Sequence, residues 1–152
     1  MFKRVKPLER FPAGGRRVVG HAHEEARKLG HRNIEPEHIL LGLLDEPQSR
    51  AAQVLDSLTI KVEDVRARAV QARGHAKGFP MPPGLSAPFT PRAMQILQRA
   101  PLEATSLASE QVAAEHILLA PVGEPDGTAV RILREHSADP ERVRYEVIRL
   151  AD

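Results

Sequence analysis

Two histidines and two glutamates stand within five residues in "HAHEE", His21 to Glu25. Imidazole and carboxylate are the groups that hold a catalytic zinc and activate its water, so the run raises a metal-dependent hydrolase. The spacing speaks against it. On a helix His21 and His23, two residues apart, point to different sides, whereas H-E-x-x-H sets its histidines four apart on one face. Glu24 and Glu25 then read as charge on a solvated face rather than as a catalytic pair. A second candidate is written twice: Glu37-His38 in "EPEHILLGLL" and Glu115-His116 in "AAEHILLAPV", 78 residues later. A carboxylate there can grip a guanidinium fork, or it can complement the positive end of a helix for about 0.3–1 kcal/mol. The residues alone leave both open, and the two histidines read as helix-start packing residues. The third candidate is "FTPRA", Phe89 to Ala93. Thr90 as N-cap with Pro91 in the first turn leaves main-chain N–H groups that hold an anion or serve simple capping. "GGRR" at Gly14–Arg17 reads as a loose helix start, and no G-x-x-x-x-G-K-[ST] occurs, so there is no P-loop.

These residues sit in an internal duplication. At an offset of 78, Phe11 falls on Phe89, Ala22 on Ala100, Glu25-Ala26 on Glu103-Ala104, Leu55 on Leu133, and Val65-Arg66 on Val143-Arg144. No gap is needed from Phe11 to Arg73. One offset held over some sixty residues is a repeat, and its period suits a unit of about four helices. Val18, Val19, Ala22, Ala26 and Leu29 step along one helical face, and Ile96, Leu97, Ala100, Ala104 and Leu107 repeat the spacing. Gly30 suits the left-handed position after the first helix. Pro36 opens a second, short helix whose "HILLGLL" is apolar nearly all round, hence central and buried. Further helices are predicted from Arg50 to Leu58 and from Val62 on, with counterparts near Gly127–His136 and Pro140–Leu150. Two prolines break the symmetry: Pro101 predicts a kink, and Pro121 an early stop, because an interior proline lacks the N–H the helix needs. The fold class is all-α, a pseudo-twofold duplication of a four-helix repeat with about eight helices in one domain. Repeat one spans about 8–73 and repeat two about 89–151. Between them "GHAKGFPMPPGLSAP", with four prolines and three glycines, reads as a linker over 74–88.

Composition narrows the function classes. At 41% hydrophobic and 28% charged the chain reads as globular, and at 3% aromatic its core must be aliphatic. There is no cysteine, so disulfides and thiolate metal sites are out. A net charge of +2 is too balanced to argue for nucleic acid. No apolar run approaches the roughly 20 residues of a membrane span, and "MFKRVKPLERF" has no signal-peptide core. The reading is a cytoplasmic protein without cofactor or metal, and not an enzyme.

The "EHILLGLL" and "EHILLA" pair, with "EEARKLGH", "FTPRA" and "RAAQVLDSL", resembles the Clp N-terminal domain, particularly of the ClpC type, from about Phe2 to Leu150. The resemblance implies a non-enzymatic recognition module of Clp-dependent proteolysis. Its partners would be proteins: Clp substrates, adaptors, or the unfoldase and protease components. Phosphoarginine and cyclic peptide antibiotics are ligands of such domains. By the same resemblance a phosphoarginine site would use Glu115 with Thr90 and Arg92, the glutamate taking the guanidinium and the helix start the phosphate. The first repeat would offer Glu37, but with Pro12 and Ala13 where the threonine site lies. The peptide groove would use Phe89, with Leu8 where a phenylalanine is usual and Met94 where a lysine is. The chain reads as a stand-alone relative; the alternatives are the excised N-domain of a full ClpC unfoldase and, from another class, the metal-dependent hydrolase.

Overall fold

The computed structural model describes residues 13–73, 87–109, 111–121 and 127–150. Among them are eight helices: α1 (Ala13–Lys28), α2 (Pro36–Leu44), α3 (Arg50–Ser57), α4 (Val62–Arg73), α5 (Pro91–Ser106), α6 (Ala114–Leu119), α7 (Thr128–Glu135) and α8 (Pro140–Leu150). The described residues hold no strand, only an isolated parallel bridge between Ile34 and Phe89. Each helix of the second half starts 78 residues after its counterpart: Ala13 and Pro91, Pro36 and Ala114, Arg50 and Thr128, Val62 and Pro140.

The match extends to the turns. Left-handed backbone follows α1 at Gly30 (φ 71°) and α5 at Ala108 (φ 57°); it follows α3 at Thr59 (φ 61°) and α7 at Ser137 (φ 59°). Each pair is closed by the same long-reach bond, His31 N–H to Ala26 O and Ser109 N–H to Ala104 O after the first helices. Ile60 N–H to Leu55 O and Ala138 N–H to Leu133 O do the same after the third. These are Schellman closures, which need a positive φ and favour glycine. Only Gly30 meets that preference; Ala108, Thr59 and Ser137 carry a Cβ against it.

The centre is α2. Pro36 to Leu43 are all buried along it, and it packs on α1, α3, α4, α5, α6 and α7. Ile39, Leu40, Leu41 and Leu43 on α2 and Ile117, Leu118 and Leu119 on α6 are fully buried, each worth about 1.5–3 kcal/mol of apolar transfer. Gly42 lets α1 come close: a Cβ there would lie 2.4 Å from the Val18 carbonyl oxygen and 3.0 Å from the Ala22 nitrogen. α6, at 6 residues against 9 for α2, ends before Pro121 as its sequence requires. Pro101 does not end α5, which continues to Ser106; the Thr105 hydroxyl donates to the Pro101 carbonyl at 3.1 Å. Of the linker, 74–86 lie outside the described residues.

A candidate ligand cleft between the repeats

The doubled histidines close the starts of α2 and α6. The Glu35 N–H donates to His38 Nδ1 at 2.8 Å, and the Ala113 N–H donates to His116 Nδ1, also at 2.8 Å. A ring nitrogen that accepts cannot carry a proton, so this cap requires a neutral imidazole. Burial pushes the His116 pKa below its ordinary value, which keeps the ring in that state. His38 also meets His31 at 2.8 Å. Because its Nδ1 accepts, its Nε2 donates to His31 Nδ1.

Glu25 corrects the reading of "HAHEE" as a solvated face. Its side chain is 3% exposed and pairs with Arg66 of α4 at 2.9 Å, whereas the side chain of Glu24 is 45% exposed and pairs with Arg27. The duplication repeats the buried pair: Glu103 meets Arg144 at 3.1 Å, again α5 to α8. Each pair ties the first helix of its repeat to the last. His23 Nε2 accepts the Ala87 N–H at 2.9 Å, and His21 lies 3.0 Å from Glu46. The four residues thus have four separate structural partners. Among the described residues, no group of three or more His, Asp or Glu side chains is placed to hold a metal ion.

Repeat one adds Asp45 beside Glu25. Burial first, then the hydrogen bond to Glu25 and repulsion from its charge, raise the Asp45 carboxyl to about 6. For Glu25 burial acts to raise the value, but the bonds from Arg66 and Asp45 outweigh it and hold the carboxyl below its usual range. An acid whose folded pKa is raised contributes stability below its unfolded value of 3.8 and loses it as the pH rises through about 6. Asp45→Asn keeps a donor for Glu25 and removes the titration. It is expected to stabilise the protein at pH 7 by about 1 kcal/mol, after allowance for the partial exposure of Asp45. The advantage should vanish near pH 4. Urea midpoints of both proteins across pH 4–8 check this.

Glu115 faces a cleft of about 410 Å³ lined by Gly15 and Arg17 of α1, Glu46, Gln48, Ser49 and Arg50 before and at α3, and Ala113–Glu115 at α6. It lies where the first repeat meets the second. The Glu115 side chain is 13% exposed and Arg50 Nη1 donates to its Oε2 at 3.1 Å. Arg17, 63% exposed, pairs with Glu46 at 3.1 Å. No acidic residue occupies the first turn of α1, whose leading N–H groups have no partner within the helix.

Thr90 is not among the residues lining this cleft. Its hydroxyl caps α5 by accepting the Ala93 N–H at 3.3 Å and donates to the Ile34 carbonyl at 3.3 Å; its own N–H donates to Ile34 O at 3.0 Å. The resemblance implies that Thr90 and Glu115 serve one site within repeat two; in the structure each makes its contacts across the repeats. Thr90 sits against the segment that leads into α2 and Glu37, and Glu115 shares its cleft with the start of α1. Glu37 is 1% exposed, in the first turn of α2. Arg92 is exposed at the start of α5, while Phe89 and Met94 are half-buried there. Leu8 and Pro12 lie outside the described residues, and Ala13 is the first residue of α1. Gly15 and Arg17 lie in "GGRR", which reads in the sequence as a loose helix start, and Ser49 and Arg50 carry no sequence signal as cleft residues. Their counterparts at the repeat offset are Ala93, Gln95, Gly127 and Thr128, so the duplication offered no signal for them.

The family model of the Clp repeat (R) N-terminal domain matches residues 11–136 and 88–151. The chaperone protein ClpC, chloroplastic, of Pisum sativum is 39% identical over 143 residues, which cover 94% of this chain and 15% of that protein. The chain thus spans less than a fifth of the length of this relative. The structure is similar to the N-domain of ClpV from Vibrio cholerae, with a TM-score of 0.75 at 19% identity over 100% of this chain and 93% of that one. A complex of a ClpV N-domain with a VipB peptide gives a TM-score of 0.69 at 19% identity, over 94% of this chain and 89% of that one. With that family match, eight helices among the described residues in two matching sets, and the doubled Glu-His at the start of each second helix, the chain belongs to the Clp N-terminal domain family.

Proposed function

We propose that this chain is a non-catalytic recognition module for protein partners in Clp-dependent proteolysis, and that the Glu115 cleft takes an arginine side chain carrying a phosphate. The observation that carries the reading is the sheltered carboxylate of Glu115 facing a 410 Å³ space that Arg17, Arg50, Glu46 and the start of α1 also line. A guanidinium fork pairs with the carboxylate of Glu115. The phosphate then meets the leading N–H groups of α1 and the exposed guanidinium of Arg17, which it draws away from Glu46. Family membership supports a binding role, and a structure of the same fold is a complex with a peptide. The same cleft would serve a stand-alone protein or the N-domain of a longer unfoldase.

Calorimetric titration with free phosphoarginine tests it. A bond to a charged group contributes about 1.5–3 kcal/mol, so Glu115→Gln should weaken binding by about tenfold or more. Thr90→Val should stay within about twofold of the unmutated protein, because Thr90 lies outside the cleft. A loss in Thr90→Val as large as in Glu115→Gln would restore the pairing expected from the sequence. No binding to the unmutated protein would rule out the phosphoarginine reading and leave an unmodified protein surface as the partner.

A further inference from the structure

The Arg50–Glu115 pair differs from the other buried-carboxylate pairs of this fold. Glu25–Arg66 and Glu103–Arg144 occur at both symmetry-related places, as expected where the helical frame needs them. The counterpart of Arg50···Glu115 would join position 128 to Glu37, and position 128 is a threonine. The frame therefore does not require this charge pair. Its single bond and half-exposed arginine are shared with Glu103–Arg144, so the missing counterpart is what sets it apart, and the geometry leaves the contact free to open. The carboxylate side is 13% exposed and the arginine side 40%. One bond, Nη1 to Oε2 at 3.1 Å, holds them rather than a two-bond fork. The backbone beneath Arg50 is fixed, because Ser49 caps α3 by accepting the Ala52 N–H at 3.1 Å, so the side chain moves by rotation about its own bonds.

We propose that Arg50 is a built-in competitor for the Glu115 carboxylate, occupying the position an incoming guanidinium takes and setting the affinity threshold of the cleft. This rests on the recognition reading above. Only molecules with Arg50 turned out to solvent can bind, so the apparent affinity is reduced by the fraction in that state. A partly exposed ion pair favours its closed form only a few-fold, and the resulting penalty is about two- to sixfold. An internal competitor penalises every guanidinium by the same factor. An arginine without phosphate then has only the contact that Arg50 already makes, and a phosphorylated one exceeds it through Arg17 and the α1 start.

Titrations with free phosphoarginine and with Nα-acetylarginine, on the unmutated protein, Arg50→Ala and Arg50→Gln, test the proposal. Both variants should bind phosphoarginine about two- to sixfold more tightly, and any measurable Nα-acetylarginine affinity should rise by the same factor. In a Glu115→Gln background the Arg50 substitutions should change nothing. Phosphoarginine binding that is unchanged or weaker in both Arg50 variants, with the unmutated protein still binding, would overturn the competitor and leave the recognition reading intact. No binding of either probe to any of the proteins would overturn both.

Discussion

Replacing Arg66 by alanine is expected to destabilise the protein by about 2–3 kcal/mol, read as a lower urea midpoint at unchanged slope. The expectation follows from asymmetry within the pair. Glu25 is 3% exposed and Arg66 41%, so the substitution removes the solvated partner and leaves a carboxylate buried among apolar helices. Breaking a fully buried pair costs about 3–5 kcal/mol; the exposure of Arg66 moves the figure below that range. The loss should shrink as the pH falls and Glu25 takes up a proton, because the neutral acid no longer needs the guanidinium. Substituting both partners, Glu25→Leu with Arg66→Leu, should be less damaging than Arg66→Ala alone, since no charge is then stranded. A double variant less stable than the single one would show that packing of the arginine stem, not its charge, holds α1 to α4.

Gly42→Ala is expected to cost about 1–3 kcal/mol, the range for overpacking a filled core. The added Cβ would stand 2.4 Å from the Val18 carbonyl oxygen, and that obstacle is backbone, so α1 and α2 would have to separate along their contact. Gly20 is the internal control. It lies on the exposed side of α1 with nothing within 4 Å of its would-be Cβ. Gly20→Ala should therefore stabilise by about 0.5–1 kcal/mol through helix propensity alone. Thermal midpoints moving in opposite directions for the two substitutions would confirm that α1 meets α2 through Gly42. Equal and small effects would contradict the close approach.

The frame was legible in the sequence because its helical pattern was written twice and single glycines and prolines marked its turns and stops. Helix starts 78 residues apart, the left-handed turn at Gly30 and the stop at Pro121 all follow from period, glycine and proline chemistry. The doubled histidines fell at helix starts for the same reason, although their Nδ1 caps depend on ring orientation that residue types do not specify. Glu25 was misread because a glutamate beside another glutamate and two histidines suggests a polar face. The opposing signal was present: Glu25 and Arg66 recur together as Glu103 and Arg144, and a carboxylate kept in register with an arginine 41 residues away is a contact. The cleft was not legible. It joins α1 and the start of α3 in one repeat to the start of α6 in the other, and sequence periodicity describes what lies within a repeat. The resemblance, not the period, put Thr90 with Glu115; in the fold Thr90 bonds to Ile34 and Glu115 pairs with Arg50.

Amide chemical-shift mapping during titration with phosphoarginine tests the cross-repeat cleft most directly. The largest changes are expected at Gly15 and Arg17, at Ser49 and Arg50, and at Ala114 and Glu115, residues that adjoin one another only in the folded cleft. Changes centred on Thr90 and Arg92, with those six residues unmoved, would contradict it.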